Sequence, residues 1–456
     1  GKRVVAIERG ARIGGGSANT GTIPSKSLRE AALYLSGRRL WSFYGRDYRT
    51  KDELTLEDLT LSTAQIIRSE TAVLESQLRR NDVHLIHGKA SFVGPNQIMV
   101  ESRQGMRVLT AEKILIAVGT RPARPPGLDF DGMKVLDSNQ ILRLEKLPKS
   151  LMVVGAGVIG VEYACIFATL GIRVTLVNDR VDFLEFVDRQ IVEVLKYHMQ
   201  NNHVEFRLGE KVTHLERRGK RVIVKTASNK ELVADCLLYS VGRQGNTEAL
   251  NPEAIGLTPD PRGRLKVDEN FQTEVPGVYA AGDVIGFPSL AATSREQGRR
   301  AICHAFQICS ETSPAQIPYG VYTIPEISMV GKTEQQLTEE AIPYEIGCAR
   351  YREIARGWIK GDTEGLLKLL FHRDTLEVLG VHIIGEDATE LIHIGQAVQG
   401  LKGTLSYFAN SVFNYPTLAE CYKVAALEGL NRIRTVNGDE EDHSADFLPQ
   451  TAQHEA

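Results

Sequence analysis

Apolar positions along the first half of the chain alternate between short β-type runs and helical stretches. Val4-Val5-Ala6-Ile7 is a four-residue apolar run closed by Glu8. Residues 52–80 carry Ile66, Ile67, Val73, Leu74 and Leu78 at helical spacing with charges between them, which predicts a helix. Short strands follow at 84–87, 90–93, 97–100 and 113–117, the last running into Val118-Gly119-Thr120-Arg121-Pro122 and a Pro-rich linker to Gly127. Leu151-Met152-Val153-Val154 reads as a buried strand, a helix runs on through Leu170, and 172–177 reads as the next strand. From 204 to 241 strands alternate with polar turns, and 278–281 and 291–306 predict one more strand and helix. Beyond 317 the pattern changes. Thr333-Glu334-Gln335-Gln336 predicts a capping box, 366–371 and 378–384 an antiparallel hairpin around His372-Arg373-Asp374, and helices start at Ala388 and Leu418. The acidic run Asp439-Glu440-Glu441-Asp442 marks 436–456 as a disordered tail.

Glycines locate the chemistry. Gly155-Ala156-Gly157-Val158-Ile159-Gly160 falls between a strand and a helix, with a second strand on schedule. In that context GxGxxG predicts a dinucleotide-binding unit whose helix start faces a pyrophosphate. Its strand ends at Asn178-Asp179-Arg180, where an NAD-specific site usually carries a carboxylate that would repel a 2′-phosphate. Asn178 is neutral and can still bond a hydroxyl, Arg180 can reach a phosphate, and Asp179 leaves the register open between an acid displaced by one and this pair. The other glycine run is Gly14-Gly15-Gly16-Ser17-Ala18-Asn19-Thr20-Gly21-Thr22-Ile23-Pro24-Ser25-Lys26, with Pro24 expected in the first turn of a helix.

That last segment resembles the active-site segment of FAD-dependent pyridine nucleotide–disulfide oxidoreductases, written GGTCxxxGCIPSK, over a chain that follows the family from about residue 1 to 434. Both redox cysteines are replaced, by Ser17 and Thr22, and the family's His-Pro-Thr-x-x-Glu appears as Tyr415-Pro416-Thr417-Leu418-Ala419-Glu420. A hydroxyl cannot accept two electrons, and a phenol is a poor proton shuttle for a thiol at neutral pH. Disulfide reduction is therefore not expected. The resemblance implies two Rossmann-like domains, for FAD (1–145 and 265–316) and NAD(P) (146–264), then an α+β dimerisation domain (317–434) and a tail (435–456). It implies that Lys26 lies near the flavin's reactive nitrogen and pairs with Glu162, the two forming the catalytic pair. Cofactor contacts are implied at Glu8, Gly14, Gly15, Gly16, Ser17, Thr22, Ala90, Gly119, Gly155, Gly157, Gly160, Asn178, Arg180, Gly242, Arg243, Gly282 and Asp283, the last two within Pro-Gly-Val-Tyr-Ala-Ala-Gly-Asp. The chain opens at Gly1-Lys2-Arg3 without an initiator Met, and its first strand already ends in the ribose acid Glu8. The family pattern puts a strand, a GxGxxG turn and a helix before that point, so the reading is of a fragment, or a reading frame begun late, without the first FAD phosphate loop.

Composition narrows the alternatives. A length of 456 residues suggests two to four domains, and a net charge of −3 gives no global field for nucleic acid or a membrane surface. No apolar run approaches a membrane span. The six cysteines lack metal-ligand spacing, with Cys303 and Cys309 read as thiols, which suits a reduced, cytoplasmic protein and no metal. The expected activity is transhydrogenation, hydride passing between NADPH and NAD⁺ through FAD in a homodimer that can assemble further. The alternatives are a quinone or dye reductase and a retired flavoprotein acting as a scaffold.

Overall fold

In the computed structural model the described residues are 2–45, 48, 51, 54–308 and 316–437. They form two compact units: residues 1–186 with 192–326, and residues 187–191 with 327–456. The acidic run 439–442 and Cys309 lie outside the described residues, whereas residues 435–437, expected in the tail, belong to the helix Glu420–Asn437.

Two of the sheet systems in the first unit frame the site. One is a five-stranded, fully parallel sheet in the order Val204–Leu208, Arg173–Asn178, Ser150–Val154, Cys236–Tyr239, Val135–Leu136. Its central strands are buried on both faces, which is why Leu151–Val154 reads as an unbroken apolar run rather than an alternating one. The helix Val158–Thr169 is buried from Gly160 to Thr169 and packs on this sheet. The other system begins with Val4–Glu8, parallel to the start of Val83–Gly94, which then turns antiparallel with Gln97–Ser102 and Gly105–Thr110. A parallel pair, Ile114–Ile116 with Val278–Ala280, shares a core with it through Ile7, Ile86, Phe92, Ile116, Val278 and Ala280.

Several expectations shift. The two strands expected at 84–87 and 90–93 are one continuous strand, Val83–Gly94. The strand Gly105–Thr110 carries no sequence signal because its side chains are almost all exposed. The helix expected from 52 starts at Leu56, where Thr55 and Asp58 form a reciprocal capping box, and it runs to Arg80. The glycine run is not wholly loop: Gly15–Asn19 is a short helix, and Thr22–Leu35 begins two residues before Pro24. Cys303 is disulfide-bonded rather than a thiol, whereas Cys165, Cys236, Cys348 and Cys421 are free.

The second unit is built on an antiparallel sheet containing Ile327–Gly331, Val378–Ile384, Leu366–His372 and Tyr344–Arg350. The helices Ala388–Gly400, Leu405–Asn410 and Glu420–Asn437 cover it. The last starts at Glu420, two residues after the expected Leu418. The Thr333 capping box forms as the sequence suggests, with Thr333 Oγ1 accepting from Gln336 N at 3.3 Å and Gln336 Oε1 accepting from Thr333 N at 2.9 Å.

Candidate functional site

Lys26 sits in the second turn of the helix Thr22–Leu35, and Glu162 in the first turns of Val158–Thr169. The two helices pack together. Across 136 residues of sequence, Lys26 Nζ reaches both carboxylate oxygens of Glu162, at 2.8 and 3.0 Å. The Glu162 side chain is only 6% exposed and that of Lys26 is 25% exposed, so the carboxylate is the fixed member and the ammonium faces outward. Glu162 is pinned further, because Tyr322 donates its backbone N–H to Oε1 at 2.8 Å. The Tyr322 ring makes a cation–π contact with the ammonium, Nζ lying 4.7 Å from its centroid. The same segment is held at its other end by buried Arg29, which donates from Nε to Thr323 O at 2.9 Å and pairs with Glu326.

The glycines sort by what a side chain would meet. A Cβ at Gly14 would fall 2.7 Å from Ala18 Cβ, and one at Gly160 only 2.0 Å from Gly155 O. A Cβ at Gly155 would press on Ser240 O at 2.9 Å. These three are required by packing within the turns. A Cβ at Gly15, Gly119, Gly157 or Gly242 would meet nothing within 4 Å, so these backbones border open space. Packed glycines closing the Gly155–Gly160 turn, with open space beside Gly157, fit what a dinucleotide pyrophosphate needs. At the end of the first strand the Glu8 carboxylate accepts from Gly10 N at 2.6 Å. The residues present therefore fit FAD on one side and a nicotinamide nucleotide on the other.

Arg243 and Asp283 meet through Thr120. Arg243 Nε donates to Thr120 Oγ1 at 2.7 Å, and that hydroxyl donates to Asp283 Oδ2 at 3.0 Å. Gly282, at φ 81°, donates its N–H to Gln297 Oε1 at 2.8 Å, so Asp283 is aimed by both neighbours. Asn178 is tied inward: Oδ1 accepts from Ala156 N at 3.2 Å, and Nδ2 donates to Arg180 O and Asp182 O. Arg180 pairs with Glu185 on the surface. Ala90 lies within the long strand opposite Val100 and packs against the core with Ile7 and Ile116. Ser17 is in the short helix and Thr22 opens the next one, its carbonyl accepting from Ser25 Oγ. Among the described residues no group of three His, Cys, Asp or Glu side chains could hold a metal ion.

Sequence reasoning missed Thr120, Gln297, Arg29 and the aromatic group around Tyr322. Tyr319 lies 4.8 Å from Phe186 and 6.1 Å from Phe287, stacked on the latter at 14°. Burial, then the charges of Glu162 and Asp283, push its phenol up to about 12, which places Tyr319 within the field of both site carboxylates. The only available signal was the aromatic content of Tyr319-Gly320-Val321-Tyr322, which is ordinary for a strand.

A glycine-closed nucleotide turn whose helix carries Glu162 to Lys26, beside a second glycine segment, fits the nicotinamide-dependent flavoprotein oxidoreductases. The chain belongs to the pyridine nucleotide-disulphide oxidoreductase family: residues 1–298 match that family's model and 317–426 match its dimerisation domain. The dimerisation domain makes a homodimer the expected assembly. Soluble pyridine nucleotide transhydrogenases of Mycobacterium tuberculosis and Mycobacterium bovis are 51% identical over 96% of this chain and 94% of theirs. That of Colwellia psychrerythraea is 45% identical over 95% of this chain and 94% of its own. Among solved structures, LpdA of M. tuberculosis superposes with a TM-score of 0.85 at 25% identity over 93% of each chain. The HOCl-induced flavoprotein disulfide reductase RclA of Escherichia coli gives 0.83 at 26% identity, covering 93% of this chain and 94% of its own. No described helix is long and apolar enough to cross a membrane.

Proposed function

We propose that the protein moves hydride between NADPH and NAD⁺ through FAD, at a site built on Lys26 and Glu162. The observation that carries this is the intact Lys26–Glu162 pair between two packed helices, beside redox positions 17 and 22 that hold the hydroxyls of Ser17 and Thr22. Bound FAD supplies the two-electron relay between the two nicotinamides. The chain's own part is electrostatic and steric. Lys26 presents a fixed positive pole where negative charge develops, and Glu162, held by Tyr322 N–H, keeps that pole from swinging into solvent. Gly155, Gly157 and Gly160 let the nucleotide approach its turn, and Asp283, aimed by Thr120 and Gln297, receives the ribityl side of the flavin. With no thiol at 17 or 22, the family's dithiol station next to the flavin is missing, and a tyrosine stands at 415 where its base would be.

Glu8, Gly14–Gly16, Ser17, Thr22, Ala90, Gly119 and Gly282 belong on this reading to the FAD side, and Asn178, Arg180, Gly242 and Arg243 to the nicotinamide nucleotide side. FAD takes 1–145 and 265–316 and the nucleotide takes 146–264, while 317–434 forms the homodimer, which can assemble further. The protein works in the cytoplasm on free nucleotides.

Steady-state kinetics with NADPH as donor and an NAD⁺ analogue as acceptor test the proposal. Parallel double-reciprocal lines, the ping-pong pattern, are expected because both nucleotides use one site in turn. Intersecting lines, or turnover only with a quinone, would replace transhydrogenation with a diaphorase activity. Purified protein without flavin absorbance would instead support a scaffold.

A further inference from the structure

An enzyme that passes hydride between NADPH and NAD⁺ at one site must hold both nucleotides and release both. The two differ by a single 2′-phosphate on the adenosine ribose. In a dinucleotide fold that ribose lies at the end of the second strand, here Asn178, whose side chain is tied to the glycine turn at Ala156 N. The residue placed to meet a 2′-phosphate is Arg180. Its backbone is fixed, since its carbonyl accepts from Gly209 N at 3.0 Å and from Asn178 Nδ2 at 3.1 Å. Its side chain is 70% exposed.

That side chain already has an anion. Arg180 Nη1 donates to Glu185 Oε2 at 3.0 Å and to Oε1 at 3.2 Å. The turn carries three carboxylates, Asp179, Asp182 and Glu185, and it is Glu185 that meets the guanidinium. Leu184, just before Glu185, is buried and held at φ 51°, which anchors the backbone of the turn. Glu185 is itself 52% exposed, so opening the pair leaves both groups in water with little desolvation to recover.

We propose that Glu185 is an exchangeable counter-ion that makes the nucleotide site accept both NADP(H) and NAD(H). With NAD(H) bound the Arg180–Glu185 pair stays closed, and the guanidinium is neutralised although no phosphate is present. With NADP(H) bound the 2′-phosphate displaces Glu185, which turns to solvent. An unpaired arginine would hold NADP⁺ too long for NAD⁺ to follow it into the site, and a carboxylate aimed at the ribose would exclude NADPH. A replaceable carboxylate moderates the preference without reversing it. The inference rests on the assignment of Arg180 to the 2′-phosphate.

The test uses the FAD-loaded homodimer and two dead-end inhibitors competing with NADH: adenosine 2′,5′-bisphosphate and 5′-AMP, which differ only in the 2′-phosphate. Glu185→Gln is expected to tighten the bisphosphate by about 2- to 5-fold, the strength of an exposed ion pair, and leave 5′-AMP unchanged. Product inhibition by NADP⁺ should strengthen to the same degree. Arg180→Ala should weaken the bisphosphate by about tenfold or more and spare 5′-AMP. In the Arg180→Ala background, Glu185→Gln should do nothing further. If Arg180→Ala is selective but Glu185→Gln leaves the bisphosphate unchanged, the counter-ion role is overturned and the Arg180 assignment stands. Tightening that persists without Arg180 shows a long-range charge effect and overturns the exchange as well. If Arg180→Ala changes neither inhibitor, the assignment falls and the proposal with it.

Discussion

Lys26 is the residue on which activity should turn. Lys26→Ala removes the positive pole and leaves Glu162, held by Tyr322 N–H, as a nearly buried carboxylate without a cation. Removing one preorganised electrostatic group costs about 10²- to 10³-fold in turnover. We expect the rate of flavin reduction by NADPH in stopped-flow to fall by about that much, with the KM for NADPH changed far less. A large rise in KM at constant kcat would instead make Lys26 a binding residue. The lost thiols give a second prediction at this scale. Ser17→Cys with Thr22→Cys should not create a lipoamide or glutathione reductase, because Tyr415 still stands where the family's base would be. Turnover of either disulfide near about 10 per second, an ordinary enzymatic rate, would show that the thiols were the only barrier. Lys26 and Glu162 were legible in sequence through the motif each belongs to. Tyr322, Thr120 and Gln297 were not, because a backbone N–H, a hydroxyl and an amide acquire their roles only from what folds against them.

Among the elements, the Gly155–Gly160 turn carries the tightest constraint. Gly160→Ala would set its Cβ 2.0 Å from Gly155 O, so the turn must open where strand and helix meet. NADPH-dependent flavin reduction should be lost, while the FAD absorbance of the purified dimer stays near normal because the flavin motif around Gly282 is separate. Loss of both would mean that the two halves of the first unit fold as one. The helix Leu56–Arg80 offers a simpler check: Thr55→Ala removes one side of its capping box and should cost about 1 kcal/mol of stability by urea titration. Caps and buried parallel strands were readable because their signals are local. Gly105–Thr110 was invisible because an exposed strand that packs little has no apolar face to display. The break expected between 87 and 90 does not occur because pairing with Gln97–Ser102 carries the strand through Gly88.

At the scale of the whole molecule, the second unit buries charge where the sequence shows only an apolar strand. Lys368, in the middle of Leu366–His372, is fully buried and pairs with Asp188 at 2.9 Å and with Glu334. Burial disfavours its charge, but Asp188 and Glu334 outweigh that and raise its pKa. Burial would likewise raise Asp188, yet the Lys368 ammonium bonded to it and the N–H of Glu334 hold its carboxyl below the usual range. Lys368→Met would leave Asp188 buried without a cation, so we expect a loss of about 3–5 kcal/mol, recovered in part by adding Asp188→Asn. Full stability of Lys368→Met by urea titration would show that Asp188 finds water instead. His382, cross-strand from Lys368 and bonded to Lys332 O, is held neutral by burial, which lowers its pKa. Its folded pKa lies below its unfolded one, so its contribution is present above about pH 6.5 and is lost as pH falls through the folded value. Asp188 has the same sign, at lower pH. The melting temperature should therefore drop between about pH 7 and 5, and by less in His382→Gln. An equal drop in that variant would move the acid sensitivity elsewhere.

The sequence by itself determined the glycine turns, the caps, the buried strands and the absence of redox thiols at positions 17 and 22, because each depends on residues within a few positions of one another. The family's flavin and nucleotide halves followed from the same short motifs. Tertiary structure alone decided that Glu162 is held by Tyr322, that Arg180 meets Glu185, and that Lys368 is buried between Asp188 and Glu334. The segment Val187–Ile191 also joins the second unit, although its neighbours in sequence lie in the first. Charges and hydrogen bonds are short-ranged in space and indifferent to separation along the chain, so the partners that settle them are fixed only when distant segments have packed.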